Sequence, residues 1–310
     1  MSFGERFTGF DEEAFRAFEP RKWSSNLFNM ERMAVREQLR VIGMTVEPAL
    51  LARYPFKWEV TTHVPSVFNG KRVSELTLYF TRNDEQQKSL TPLLDSRIAL
   101  PDQISDAGEH HRHVTLGVRI DGGGLEVGLM LHSTAWLDVM NLLNRCRVAE
   151  ESEQLLSLLR GAPDGAVFRV GPGVDVPAPQ VTSQDLERLE QSVLNNTFLI
   201  LVGRQYPAGD QRLRSAGFPA EVRELLLALY PLWDFVAWRP ASDFLEPQRV
   251  EPATAPVAVP ALSLGSRVRL TEGVLAGREG VVVDMDHKGG LRVLIGRLNV
   301  RTAARSVLPL

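Results

Sequence analysis

Five prolines fall between residues 240 and 260, in the run RPASDFLEPQRVEPATAPVAVP that begins at Arg239. Proline fixes φ and donates no backbone hydrogen bond, so a stretch this rich in it cannot continue a helix or sit inside a sheet. With few large apolar side chains to bury, residues 241–260 read as an extended, semi-rigid linker. The chain is thereby divided into a body, residues 1–240, and a tail, residues 261–310.

In the tail, short apolar alternations are punctuated by glycines: Val268 and Leu270 before Gly273, Val281 and Val283 after Gly280, and Leu291, Val293 and Ile295 beyond Gly289-Gly290. That pattern predicts a small antiparallel barrel. The segment from Thr271 to Val281, TEGVLAGREGV, resembles the KOW motif, in which a strand, a glycine-containing loop and a second strand open an SH3-like barrel. Gly277 and Gly280 are its turn glycines, and Gly280 stands where the family keeps its most constant one. Physically, a glycine there permits close backbone approach between loop and strand. KOW modules occur in NusG-type elongation factors and in ribosomal proteins. The resemblance implies contact with RNA, the ribosome, RNA polymerase or a protein associated with them, and it implies no catalysis. A tethered tail also resembles the two-part plan of NusG-like factors, although the body does not match their amino-terminal domain.

Charge divides the same way. Residues 261–310 carry eight Lys and Arg against four Asp and Glu, a net of +4, while residues 1–260 carry 27 against 34, a net of −7. A basic tail on an acidic body fits contact with a polyanion through the tail alone. Arg267, Arg269, Arg278, Lys288, Arg292 and Arg297 are the expected binding residues. The same arginines also suit a barrel that merely solubilises its strand edges.

The body has 24% charged and 44% hydrophobic residues to draw on chain-wide, enough for a substantial core. Cys146 is the only cysteine, so a disulfide within the chain and a multi-cysteine zinc site are both excluded. The N-terminus has no basic region followed by an apolar core, and no apolar run approaches the length of a membrane span. The expected setting is cytoplasmic, with no membrane partner.

A first α+β domain is expected over residues 1–150. It opens with a short helix ended by Pro20 and a helix from about Asn29 to Ile42 that Gly43 closes. The segment WSSNLFNMERMAVREQL within it resembles a bacterial domain of unknown function, which implies no activity. Strands are expected at Lys57–Thr62, Val73–Phe80, Val114–Ile120 and Leu125–His132, with a polar surface excursion from Arg82 to Gly108. Ser133 is positioned to cap a helix running from Thr134 toward Arg160. Residues 151–240 read as a second α+β unit or an extension of the first. They offer a strand at Ala166–Val170, a helix at 182–194 capped by Thr182 or Ser183, a buried strand at Thr197–Val202 and a helix at Ala220–Trp238 that Pro231 should kink or end. The expected fold class is an α+β body with an antiparallel sheet, followed by a small all-β SH3-like (KOW) barrel.

One hairpin in the body attracts attention. Ile120 and Leu125 flank the loop DGGG, which pairs residues whose numbers sum to 245. Arg119 then lies across from Glu126 as a candidate pocket, and His113 across from His132, with His111 one pleat beyond. Three histidines on one face would suit Zn or Fe, although no carboxylate stands near enough in sequence to complete the set. A solvated polar sheet face explains the same pattern. Asn69, Lys71, Arg72, Glu75, Tyr79 and Arg82 form a second polar cluster that could line this surface.

The sequence holds no GxSxG elbow, HExxH helix, Walker loop or dinucleotide fingerprint, so no catalytic residues are assigned. The leading expectation is a non-enzymatic adaptor of the transcription or translation machinery that needs no cofactor. Two alternatives remain: a metal-dependent hydrolase or small-ligand enzyme using His111, His113 and His132, and a structural subunit of a larger assembly.

Overall fold

The computed structural model describes residues 6–66, 69–95, 109–245, 262–271, 275–285, 290–296, 298–303 and 306–310. The body is built on one antiparallel sheet of seven strands: β1 (Phe56–Val60), β2 (Glu75–Arg82), β3 (Thr115–Asp121), β4 (Gly124–His132), β5 (Val167–Gly171), β6 (Val174–Pro177) and β7 (Leu199–Pro207). Their spatial order is β1-β2-β3-β4-β7-β5-β6. Because β7 pairs with β4 along its whole length, the strands of residues 151–240 extend the sheet that residues 1–150 begin.

Alternation gives this sheet two unlike faces. Leu76, Leu78 and Phe80 of β2 share one face with Leu116, Val118 and Ile120 of β3, and with Leu125, Val127, Leu129 and Leu131 of β4. All are buried beneath helices. Helix α1 (Glu12–Arg16) is capped by Asp11 and packs on α2 (Asn29–Leu51), which crosses β1 and β2. After β2 comes α3 (Asp84–Asp95), where a surface excursion was expected; residues 96–108 lie outside the described chain. Helices α4 (Trp136–Cys146) and α5 (Ala149–Arg160) follow β4, then α6 (Ser183–Asn195) packs on β5 and α7 (Phe218–Val236) on β3, β4 and β7.

Two helices run past the residues expected to stop them. Gly43 is inside α2, because the ring of Trp58 on β1 lies where a Cβ would be, 2.5 Å from that position. Its role is close packing between helix and sheet rather than termination. Pro231 likewise sits within α7. Leu226 and Leu229 are buried before it and Leu232, Trp233 and Val236 after it, so burial along the helix outweighs the ~3 kcal/mol that an interior proline costs. Ser133 is not the cap of α4 either; its Oγ accepts a hydrogen bond from the Phe198 amide on the approach to β7, and the cap position is Ala135. By contrast Thr182 caps α6 in a reciprocal box with Asp185.

The tail forms a five-stranded antiparallel sheet of β8 (Arg267–Leu270), β9 (Glu279–Met285), β10 (Gly290–Ile295), β11 (Leu298–Ala303) and β12 (Val307–Pro309), in the order β11-β10-β9-β8-β12. Strand pairing does not close it into a barrel, since β11 and β12 remain as edges. Val268, Leu270, Val282, Leu291, Val293, Ile295 and Val307 form its buried face. Of the residues 241–260 expected to form a linker, 241–245 are described, and they lie against the body. Phe244 is still fixed to the body, its amide donating to Asn141 Oδ1 at 3.0 Å and its carbonyl accepting from Asn144 Nδ2 at 2.7 Å. Residues 246–261 lie outside the described chain.

Candidate functional site

The uncovered face of the seven-stranded sheet is polar and concave, and it encloses a cavity of about 1280 Å³. A row of glycines shapes it. Gly117, Gly128 and Gly203 are direct neighbours across β3, β4 and β7, all on this face. A Cβ on any of the three would run into the backbone of an adjacent strand, against Leu78, Val202 and Val127 respectively. The strands can approach and coil here only because no side chain stands between them.

Along one side of the glycine row runs a ladder of charges. Arg119 on β3 donates to Glu75 on β2 at 2.8 Å, to Glu126 on β4 at 2.8 Å and to Asp121 at 3.0 Å. Glu126 also accepts from Arg169 on β5 at 2.8 Å, and Arg169 reaches Asp175 on β6 at 2.8 Å. Gln205 on β7 completes the row with a 2.6 Å bond to Asp175. Burial opposes the charge of Arg119, but Glu75, Glu126 and Asp121 outweigh it and hold its pKa above the usual guanidinium value. The expected Arg119–Glu126 pair is therefore present, embedded in a network of two arginines and four carboxylates that runs from β2 to β6.

On the other side of the glycines the turn at Glu109–Arg112 lays histidines over the sheet. The Tyr79 ring stacks on His110 with centroids 4.9 Å apart, His110 lies 4.0 Å from His111, and His111 stacks on His132 at 4.3 Å. His132 Nδ1 is 2.6 Å from Thr134 Oγ1. Burial, reinforced by the neighbouring imidazoles, pushes His110 well below its usual pKa and His132 down to about 3, so both are neutral at ordinary pH.

His113 does not join them. The β3–β4 register is the one the loop predicts, with Arg119↔Glu126 and Thr115↔Met130, but pairing ends at Thr115 and the chain turns before His113. Its ring is buried beside Arg82, whose Nη1 lies 3.2 Å from His113 Nδ1. Arg82 forms a two-pronged ion pair with Asp138 at 2.9 and 2.6 Å and donates to the Trp238 carbonyl at 3.0 Å. Asp138 also accepts from the amides of Val114 and Trp238, each at 2.8 Å. This buried group ties β2, β3, α4 and the end of α7 together. Of the three histidines proposed as metal ligands, the structure brings His111 and His132 face to face and places His113 elsewhere. Stacked rings do not aim their nitrogens at a common point, and among the described residues no group of three or more His, Cys, Asp or Glu is arranged to hold a metal ion.

The second polar cluster divides similarly. Asn69, Arg72, Glu75 and Tyr79 line the concave cavity, whereas Arg82 belongs to the buried ion pair. Sequence reasoning missed Trp23, Arg36 and His63, which line the same cavity from outside the strands. Arg72 stacks its guanidinium over Trp23 at 4.7 Å.

Comparison of the sequence with models of known families and with curated proteins gave no match. The KOW resemblance thus stands on the residues of the tail alone.

There, Gly277 adopts φ +85°, a turn conformation that side chains disfavour. Gly280 is buried with its α-carbon against β10: a Cβ would fall 2.6 Å from Val293 Cγ1 and 2.7 Å from the Leu294 carbonyl. The outer face of this sheet carries Arg267 opposite Val281, and Arg269 between Glu279 and Leu308. Arg267 and Arg269 both lean on Glu279, at 3.4 and 2.7 Å, while staying well exposed. Arg292 stands 3.9 Å from Asp284. Arg278 turns the other way and pairs with Glu190 of α6, which also receives Arg147. Lys288 and Arg297 lie outside the described residues. Among the described residues no helix is long and apolar enough to cross a membrane.

Proposed function

We propose that this chain is a non-enzymatic binding protein of the transcription or translation machinery, whose C-terminal sheet is a KOW-like, SH3-like barrel that docks on a protein of that machinery. The observation that carries this reading is the outer face of the tail sheet, where Val281 and Leu308 stand 37% and 51% exposed beside Arg267 and Arg269. Exposed aliphatic side chains beside two arginines that share Glu279 match the make-up of a protein interface. Residues 262–310 contain no Phe, Tyr or Trp on which a base could stack, which favours a protein over single-stranded RNA. The return of β12 beside β8 and the tight approach at Gly280 are consistent with the small-barrel reading.

The complementary surface on the partner is an apolar patch edged with carboxylates. The test is binding of the full chain to purified RNA polymerase, to ribosomes and to RNA over a range of salt. Submicromolar binding to polymerase or ribosomes that weakens several-fold between 50 and 300 mM salt supports the reading, with those ranges set by the usual screening of surface charge (about 8 Å at physiological salt). Binding to protein-free RNA alone would replace the protein partner with a nucleic acid, and binding to none of the three removes the proposal.

A further inference from the structure

We propose that the concave cavity binds a small organic oxyanion, whose carboxylate or phosphate is held by Arg36 of α2 and Arg72 of the β1–β2 connection, both of which line it. This site is independent of the docking face on the tail.

The arginines that line the cavity differ in how they are paired. In the charge ladder, Arg119 and Arg169 are each held by two or more carboxylates at 3.0 Å or less. By contrast, Arg72 has no carboxylate within ion-pair range among the described residues, and Arg36 has only Glu37 at 3.9 Å, the adjacent residue on its helix. Arg36 Nε is buried and has no hydrogen-bond partner. Arg36 and Arg72 are thus two incompletely paired guanidinium groups on a cavity whose carboxylates have partners of their own, Glu75 and Glu126 on Arg119 and Glu59 on the Tyr79 hydroxyl at 3.3 Å.

The segment that presents Arg72 is held in place. Asn69 accepts from the Ser66 amide at 2.8 Å and donates to the Val64 carbonyl at 3.0 Å. Gly70 and Lys71 both take left-handed backbone conformations, φ +61° and +57°, and the second is a conformation that non-glycine residues seldom adopt. Trp23 beneath the Arg72 guanidinium restricts its swing while leaving its N–H edge free to donate. Tyr79, whose hydroxyl donates to Glu59 at 3.3 Å, and the neutral His110 stacked on its ring line the same cavity and offer aromatic surface to the uncharged part of the ligand.

His63, also in the cavity, reports on occupancy. Burial lowers its pKa, and Arg36 and Arg32 lower it further against a weaker opposing pull from Glu37. An anion bound by the arginines reverses the sign of its surroundings. Titration of the full chain with inorganic phosphate and, separately, with succinate, followed by calorimetry and by the His63 ring proton in NMR, tests the site, with sodium chloride at matched ionic strength as the control. Expected are saturable binding of one or both anions and an upward shift of the His63 titration midpoint on saturation. Arg36→Gln and Arg72→Gln should each weaken binding tenfold or more, and Arg188→Gln on the far exposed helix should not. Preference for phosphate or succinate identifies the ligand's charged group. A wild-type protein that binds neither anion and whose His63 midpoint stays fixed overturns the proposal, and that readout does not depend on any variant folding.

Discussion

Arg82 can donate to His113 Nδ1 only if that nitrogen carries no proton, so the buried ion pair selects neutral His113 with its proton on Nε2. Burial, with Arg82 next, accordingly pushes its pKa from 6.5 to about 4. A histidine that resists protonation in the folded state but not in the unfolded one contributes no penalty above about pH 6.5. Below that, the unfolded chain takes up the proton first, and stability falls by about 1.4 kcal/mol per pH unit until the folded pKa is reached. His132 and His110 have the same sign. The buried Asp138, whose pKa Arg82 holds down against the cost of burial, loses its own contribution only below the ordinary carboxylate range. Stability measured by urea unfolding should therefore drop between pH 6.5 and 4, and His113→Asn should flatten that slope; an unchanged slope would place the acid sensitivity elsewhere. Replacing Asp138 with Asn leaves Arg82 charged and buried with no counter-charge, and should cost about 3–5 kcal/mol in the same assay at pH 7.

At the scale of elements, Gly43 separates propensity from packing. In an exposed helix Gly→Ala gains up to about 1 kcal/mol. In α2 the added methyl meets the Trp58 ring, and overpacking of that kind costs about 1–3 kcal/mol, so Gly43→Ala should lower the thermal midpoint. A raised midpoint would mean that the helix and β1 are not in contact there. The same residue shows where sequence reading stops. A glycine near the end of an apolar period looks like a terminator, and only the partner strand reveals it as a contact point. The β3–β4 register was legible because alternation and a four-residue loop determine it locally, and Arg119–Glu126 followed from it. The Thr182 cap was legible for the same reason. What local pattern could not carry was β7 threading between β4 and β5, the Gly117-Gly128-Gly203 row that results, and the departure of His113 from the strand. Arg36 and Trp23 belong to the cavity only because α2 and the turn before it are wrapped around the sheet edge, a relation between distant segments.

Across the whole molecule, one face of the large sheet holds the core and the other lines a polar trough. The tail sheet touches the body through Arg278 and Glu190, and at Gly296, whose α-carbon lies against the Leu194 carbonyl of α6. Its outer face keeps Arg267, Arg269, Val281 and Leu308 directed away from its own buried layer. The most direct test is the affinity of the full chain and of its Arg269→Glu, Leu308→Asp double variant for purified RNA polymerase and for ribosomes. The docking account predicts that the variant keeps the wild-type circular-dichroism spectrum and loses affinity for the bound partner by about 100-fold, as expected when a hot-spot pair worth about 2–3 kcal/mol is removed. Equal affinity of the two proteins would contradict it.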